Sequence, residues 1–206
     1  MTLQDYLCDP CGMLSIPWWK NKGIQVPPFM RIVHEKDYAA AAYSGYVDKP
    51  YFRLKHDLQA IAPAEGFTCR TAGEGDLPLL AEIINRSYID LSVTQEQLRG
   101  YRATPTFAAD WWIIAQDAAT GEAVGCGMAD FDPEAGEGIL EWIQVLPEHR
   151  GRGAGQFIVN ELLRRMSGRA EFATVSGRIH NATHPERLYR RCGFAGNDVW
   201  HVLTQR

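Results

Sequence analysis

The feature that most constrains the fold is an apolar run that leads into a glycine-rich turn. Residues 139–145 read Ile-Leu-Glu-Trp-Ile-Gln-Val, and residues 146–155 read Leu-Pro-Glu-His-Arg-Gly-Arg-Gly-Ala-Gly. The first run is typical of a buried strand, and the periodicity after the turn predicts a helix over 154–166. A turn that opens a helix leaves the first backbone N–H groups unpaired, and glycines let a bulky anion approach them. The run therefore predicts a phosphate or pyrophosphate site, with Arg150 and Arg152 adding positive charge beside it.

Two common nucleotide-binding loops do not fit this turn. A dinucleotide fingerprint places G-x-G-x-x-G directly after a strand, whereas five residues separate Val145 from Gly151 and the glycines follow the order G-x-G-x-G. A Walker loop needs Gly-Lys-Ser or Gly-Lys-Thr, and the sequence contains neither. Both differences weigh against a nucleotide-binding module.

The turn resembles motif A of the GNAT acetyltransferase superfamily, V-x-P-x-x-[QR]-x-x-G-x-[GA]. Val145, Pro147, Arg150, Gly153 and Gly155 match it at every position. The alternative is that the glycine-rich turn has a purely structural role and binds no ligand.

A second resemblance lies downstream, in residues 181–194. The run from Leu188 to Phe194 is similar to motif B of the same superfamily, in which an Asn precedes a helix that carries L-Y-x-x-x-G-F. Tyr189 and Gly193 match directly. Asn181 stands eight residues before the Tyr, one more than is usual in the family. The resemblance covers residues 66–206.

The resemblance implies a GNAT acyl-CoA N-acyltransferase fold, a mixed α/β fold that binds acetyl-CoA and needs no metal. In this family the pantetheine arm pairs like a strand with the chain, here at Ile143, Gln144 and Val145. Asn181 is a further candidate cofactor contact. The backbone amides that would hold the pyrophosphate are those of Arg150, Gly151, Arg152, Gly153, Ala154 and Gly155.

Tyr189 matches the tyrosine that the family uses as a general acid. A phenol of reference pKa near 10 is reasonably matched to a leaving thiolate of about 8.5. Taken alone, a Leu-Tyr pair on an amphipathic helix is more often a packing contact than a catalytic one.

Glu141 is the candidate general base. Alternation along a strand places Glu141, Ile143 and Val145 on one face, and family members with a glutamate base often carry it on this strand, on that face. A surface carboxylate or a structural ion pair is the alternative for this residue. His180 and His184 are the other candidate bases.

These assignments predict an enzyme that transfers an acetyl group to a primary amine by direct attack on the thioester. The acceptor, a small molecule or a peptide, stays unidentified. The alternative from a different class is a non-catalytic acyl-CoA-binding regulatory domain. Tyr189 in register with Gly193 favours the enzyme, because a pure binder needs no acid there.

The order of predicted elements indicates a mixed central sheet with helices on both faces, in a domain of residues 66–206. Residues 1–65 read as a small, ordered N-terminal extension, rich in proline and aromatic residues. Strands are expected at 30–34 and 51–58. Trp18 and Trp19 either dock this extension or contact the substrate.

Charge and cysteine content exclude several classes of protein. The chain has 21 basic and 25 acidic residues, a net charge of −4, which disfavours nucleic acid as a partner. Its longest stretches without charged residues are ten residues, too short to cross a bilayer that needs about 20, so no membrane association is expected.

Cys8 and Cys11 form a C-x-x-C with no second pair, which we interpret as structural. We expect a cytoplasmic protein, and a homodimer is one open oligomeric state.

Overall fold

The computed structural model describes residues 1–13, 26–63, 65–88 and 91–206. They form two compact units, which we call the central unit, residues 57–173, and the terminal unit, residues 1–56 with 174–206. Trp18 and Trp19 lie outside the described residues. Helices and strands alternate, so the mixed α/β fold class is confirmed.

The elements are numbered here in chain order. The strands are β1 (Met30–His34), β2 (Tyr46–His56), β3 (Phe67–Thr71), β4 (Phe107–Asp117), β5 (Ala123–Asp132), β6 (Glu137–Val145), β7 (Phe172–Arg178) and β8 (Ala195–Gln205). The helices are α1 (Leu3–Cys8), α2 (Pro10–Met13), α3 (Leu77–Ser87), α4 (Gln95–Arg102), α5 (Ala154–Met166) and α6 (Pro185–Arg191). Strand β1 and helix α5 lie where the sequence pattern predicts them. Among the described residues, no helix has both the length and the apolar character needed to cross a bilayer.

The central unit is an antiparallel sheet in the order β6-β5-β4-β3 with helices on both faces. On one face, α3 and α4 pack against alternate residues of β4 and β5, among them Met128. The neighbouring Gly127 points to the other face, where a Cβ would lie 2.5 Å from Ile158 and 2.9 Å from Leu162 of α5. Helix α5 therefore sits against a glycine surface, and its predicted apolar face is fully buried.

The terminal unit joins both ends of the chain in one set of strands. Strand β8 pairs antiparallel with β1 on one side and with β2 on the other, through Met30↔Thr204 and Tyr46↔Gln205. The other neighbour of β2 is β7. The strands of the predicted extension are thus integral to this sheet. The boundary at residue 65 stays a prediction, because the two units divide the chain at 56 and 173.

The buried Arg53 on β2 attaches the first two helices to the strands. Its guanidinium donates to the Pro10 carbonyl at 3.1 Å, to Tyr6 Oη at 2.9 Å and to Ser176 Oγ at 3.2 Å. Trp200 on β8 donates its indole N–H to the carbonyl of Cys11 at 2.8 Å. A buried cation must be hydrogen-bonded, so these contacts fix α1 and α2 on this side of β2.

The start of α3 generates a pH-dependent prediction. Hydrogen bonds from the Arg70 guanidinium, and one from Gly73 N–H, lower the pKa of Asp76 to about 2 from the ordinary 3.8. A depressed folded-state pKa stabilises the fold above the unfolded-state pKa, and the stabilisation is lost as the pH falls through the folded-state value. We expect Asp76→Asn to lower the Tm at neutral pH, by an amount that shrinks between about pH 4 and pH 2.

Thermal unfolding followed by circular dichroism measures this effect. Asp110→Asn is the matched control, because its carboxylate is 77% exposed and lies 3.8 Å from Arg169. Such an exposed pair contributes little at any pH. A Tm deficit of Asp76→Asn that stays constant over this pH range would contradict the role of the Asp76 charge.

Candidate active site

The glycine-rich turn adopts backbone conformations that explain its composition. Gly151 has φ +77° and Gly153, which directly precedes α5, has φ +92°. Residues with a side chain rarely adopt this left-handed region. A Cβ built on either glycine meets no described atom within 4 Å, so the surface beside the turn is open. Glycine is needed here for conformation, and the exposed backbone is accessible to a ligand.

The start of α5 offers backbone donors to that open surface. Phe157 N–H closes the first turn by donating to the Gly153 carbonyl at 3.0 Å. The N–H groups of residues 154–156 therefore have no carbonyl partner within the helix ladder. Together with the positive end of the helix dipole, they make the start of α5 suited to an anion, and the predicted pyrophosphate site stays a prediction.

Arg150 holds the turn against the elements that precede it. Its Nε donates to the carbonyl of Val145 at 3.1 Å and its Nη2 to the carbonyl of Ser87 at 3.1 Å. The side chain thus connects the turn to the end of β6 and to the end of α3. We expected Arg150 only to add positive charge, and the contacts show that it also positions the loop.

Arg152 is anchored to the turn between β4 and β5. Its Nη2 donates to Asp117 Oδ2 at 2.7 Å, and its Nη1 lies 3.3 Å from Nδ1 of the buried His149. Hydrogen bonds from Ala119 N–H and then from Arg152 lower the pKa of Asp117, which keeps this carboxylate charged. Because Asp117 offsets the charge of Arg152, the Arg152–Asp117 pair adds little net positive charge to the turn.

Strand β6 contains a bulge that the sequence pattern did not reveal. Met128 of β5 opposes Trp142, but the next residue, Ala129, opposes Leu140, so Glu141 is an extra residue in β6. Leu140 and Trp142 therefore point to opposite faces, and the strict alternation expected across Glu141 is wrong. Glu141 is exposed at the bulge. Its role as a general base stays a prediction.

The other predicted residues of β6 lie beside two aromatic rings. Gln144 is buried and donates from Nε2 to Tyr88 Oη at 3.0 Å. The ring of Tyr88 meets Trp142 edge-on, with centroids 6.2 Å apart. The Gln144 side chain is thus engaged by the protein, which leaves Ile143 and Val145 as the partly exposed residues. Tyr88 was not among the predicted site residues.

Tyr189 occupies a packed position on α6 in the terminal unit. It is 7% exposed, and its ring centroid lies 6.1 Å from that of Phe52 and 5.8 Å from that of Phe194. Gly193 has φ +94°, and a Cβ there would lie 2.7 Å from Nε2 of His56. Glycine is therefore required at this position of the L-Y-x-x-x-G-F run for both conformation and space.

Asn181 and the two candidate histidines precede α6. Asn181 Oδ1 accepts from the backbone N–H of Thr183 at 3.0 Å and from its hydroxyl at 2.8 Å, which closes a local turn. His184 has φ +48° just before the helix, and His180 is exposed. The predicted residues are thus divided. The central unit contains Glu141, Ile143 to Val145 and the glycine turn. The terminal unit contains Asn181, the two histidines and Tyr189.

The described residues offer no group of three His, Cys, Asp or Glu side chains arranged for a metal ion. Cys11 is buried and Cys8 exposed, and neither is in a disulfide. The prediction that no metal is needed stays a prediction.

Comparison with known proteins supports an acetyltransferase fold. Residues 108–195 match a sequence-family model described as an acetyltransferase (GNAT) domain. A GCN5-related N-acetyltransferase from Sphaerobacter thermophilus superposes with a TM-score of 0.69 at 20% identity, over 84% of this chain and 58% of that protein. This chain thus spans little more than half the length of that relative. A search of curated protein sequences gave no match.

Two further structures share the fold but differ in the acceptor that their descriptions name. A GCN5-related glucosamine N-acetyltransferase region of a fungal multi-domain GH3 β-N-acetylglucosaminidase gives a TM-score of 0.65 at 16% identity, over 88% of this chain and 24% of that protein. The ribosomal-protein-S18-alanine N-acetyltransferase from Escherichia coli gives 0.53 at 16% identity, over 68% of this chain and 92% of that protein. At these identities the likeness concerns the fold alone. Residues 108–195 are thus similar in sequence to a GNAT acetyltransferase domain, and the described residues share the fold of these acetyltransferase structures.

Proposed function

We propose that this protein is an acetyl-CoA-dependent N-acetyltransferase that acts on a primary amine. The observation that carries the proposal is the turn after β6, where two left-handed glycines expose the unpaired amides at the start of α5. This arrangement suits a pyrophosphate, and residues 108–195 match an acetyltransferase domain. The amine acceptor and the residues that act on it are part of the proposal.

The turn would leave room for a CoA pyrophosphate. The surface beside Gly151 and Gly153 is open, and the first N–H groups of α5 adjoin it. Arg150 and Arg152 would preserve the shape of this cradle through their contacts with Val145 and Asp117. Binding would therefore depend mainly on backbone amides and the helix dipole, with side chains as support.

The proposed chemistry needs an activated substrate and two contributions from the protein. Acetyl-CoA supplies an activated thioester. Glu141 would accept a proton from the attacking ammonium, directly or through water, so that the amine nitrogen can form a bond to the carbonyl carbon. Tyr189 would then donate its proton to the thiolate sulfur as the C–S bond breaks. His180 and His184 are the alternative bases, and Asn181 is a further candidate contact for the cofactor.

The alternative is a domain that binds acyl-CoA without turnover. The packed, defined position of Tyr189 between Phe52 and Phe194 supports the enzyme, because a proton donor must be held in place. The descriptions of the two relatives with named acceptors refer to a sugar amine and to a protein alanine, so the fold alone selects neither. A cytoplasmic location and a homodimer also stay predictions.

Gly153→Val tests the pyrophosphate cradle. A β-branched residue resists φ near +92°, so the turn must change shape, and we expect loss of CoA binding by isothermal titration calorimetry. Gly168→Val is a matched control, since Gly168 has φ +81° with open space around it but follows the opposite end of α5. The control should keep its CoA affinity. Equal CoA affinity in both folded variants would argue against the cradle.

Tyr189→Phe tests the general acid. The variant keeps the packed ring and loses the hydroxyl, so we expect unchanged acetyl-CoA affinity and a loss of about 10² to 10⁴ in kcat. Tyr101→Phe removes a phenol from an exposed position on α4 and should leave kcat unchanged. Full activity of Tyr189→Phe would make Tyr189 a packing residue only and revive the non-catalytic alternative.

Glu141→Gln tests the general base. We expect the largest loss of rate near neutral pH and a partial recovery as the pH rises, because an already neutral amine needs no base. Glu122→Gln, in the exposed turn between β4 and β5, serves as the control. A loss of kcat that is uniform across the pH range would indicate a structural or substrate-binding carboxylate.

A further inference from the structure

One face of strand β2 packs against the helix that carries Tyr189. Side chains alternate along a strand, so Phe52, Leu54 and His56 share one face and Arg53 lies on the opposite one. The Arg53 guanidinium donates to groups of α1 and α2. The Phe52 ring contacts the ring of Tyr189 on α6. Helix α6 therefore lies on the face of β2 that carries Phe52.

A glycine on the neighbouring strand makes room for the Phe52 ring. Strands β2 and β7 are adjacent, and a Cβ on Gly177 of β7 would lie 2.6 Å from Cζ and 2.9 Å from Cε1 of Phe52. The φ angle of Gly177 is not positive, so glycine is needed there for space rather than for conformation. The backbone of β7 thus confines the Phe52 ring, which is 2% exposed.

Strand β2 reaches Tyr189 by two routes. The rings of Phe52 and Phe194 both contact that of Tyr189, at interplanar angles of 55° and 70°. Phe194 in turn contacts the ring of the buried His56, with centroids 5.2 Å apart. The contact through Phe52 is direct, and the contact through His56 passes by way of Phe194.

Helix α6 depends on tertiary packing for its position. It has seven residues, and an isolated helix of that length is unstable in water. A cavity of about 170 Å³ lies beside Phe52, lined also by residues of β8 and α6, among them Val199 and Arg190. Because the Phe52 ring adjoins both this cavity and Tyr189, a smaller side chain at position 52 would give the Tyr189 ring room to move.

We propose that Phe52 is a positioning residue, which fixes the Tyr189 ring in the orientation from which its hydroxyl can protonate the departing thiolate. The inference rests on the proposed function and adds to it a residue outside both motifs and outside the matched range 108–195. A proton donor must be within hydrogen-bond reach of the atom that receives the proton. A misplacement of about 1 Å can lower a rate about 10²-fold.

Phe52→Leu removes the ring and keeps an apolar side chain. CoA release is followed with ethanolamine, lysine and spermidine as acceptors, and the amine that the unmodified protein uses fastest serves for all variants. We expect kcat to fall about 10-fold to 10²-fold, with KM for acetyl-CoA unchanged. Phe29→Leu, at a position that is 51% exposed, is the matched control and should keep full kcat. An equal loss in both variants, or none in Phe52→Leu, would overturn the inference.

A double variant separates positioning from a general effect on the structure. If Phe52 acts through the Tyr189 hydroxyl, Phe52→Leu should cause no further loss in the Tyr189→Phe protein, because the group that it positions is already absent. A merely structural role would lower kcat by the same factor in both backgrounds, and that result would reject the inference.

Gly177→Ala displaces the Phe52 ring without removing it. The added Cβ cannot coexist with the present ring position, so we expect a severalfold loss of kcat that Phe52→Leu makes smaller. Gly45→Ala is the matched control, because a Cβ there meets no described atom within 4 Å and its φ is not positive. Equal kcat in the two folded alanine variants would contradict the inference.

An NMR measurement separates this inference from the proposed activity. Tyrosine rings are labelled with ¹³C, and the Tyr189 signal is assigned by its loss in Tyr189→Phe. We expect this ring to flip faster in Phe52→Leu than in the unmodified protein or in Phe29→Leu. An unchanged flip rate would overturn the inference, whatever the activity. If the ring flips faster but the unmodified protein acetylates none of the amines, the proposed function fails and the role of Phe52 in fixing the ring stands.

Discussion

The proposed function depends most on the backbone conformation of the turn between β6 and α5. Left-handed φ angles at Gly151 and Gly153 bring the chain from the end of a strand into a helix whose first amides remain unpaired. Any residue with a Cβ would be strained there, and a different path would redirect the amides. The packing of α5 on the glycine surface of β5 then fixes where this helix begins.

The charges around that turn serve its shape more than its net potential. Arg150 is bonded to two carbonyl groups, and Arg152 is paired with Asp117, whose own position is set by the backbone of the adjacent hairpin. Both guanidinium groups restrain the loop, and Asp117 offsets the charge of Arg152. An anion would therefore be recognised by the geometry of backbone amides, which suits a pyrophosphate of defined shape.

The terminal unit places residues from the start of the chain next to residues from its end. Strand β2 lies between β8 and β7, and it supplies the Phe52 ring that contacts Tyr189. The N-terminal segment, which its composition alone marks as an extension, thus contributes to the surroundings of the proposed general acid.

Features that depend on local chemistry could be predicted from the sequence. The glycines of the turn, the helix over 154–166 and the strand at 30–34 follow from residue types at short spacing, because backbone preference and periodicity act over a few residues. Tyr189 and Gly193 were indicated by their resemblance to motif B, and the packing of Tyr189 on Phe52 was visible only in the tertiary structure. The bulge at Glu141, the Arg152 to Asp117 pair and the position of β2 between β8 and β7 were decided only by the tertiary structure. Each depends on groups that are distant in the chain, and the free energy of their packing and pairing has no signature in any short segment.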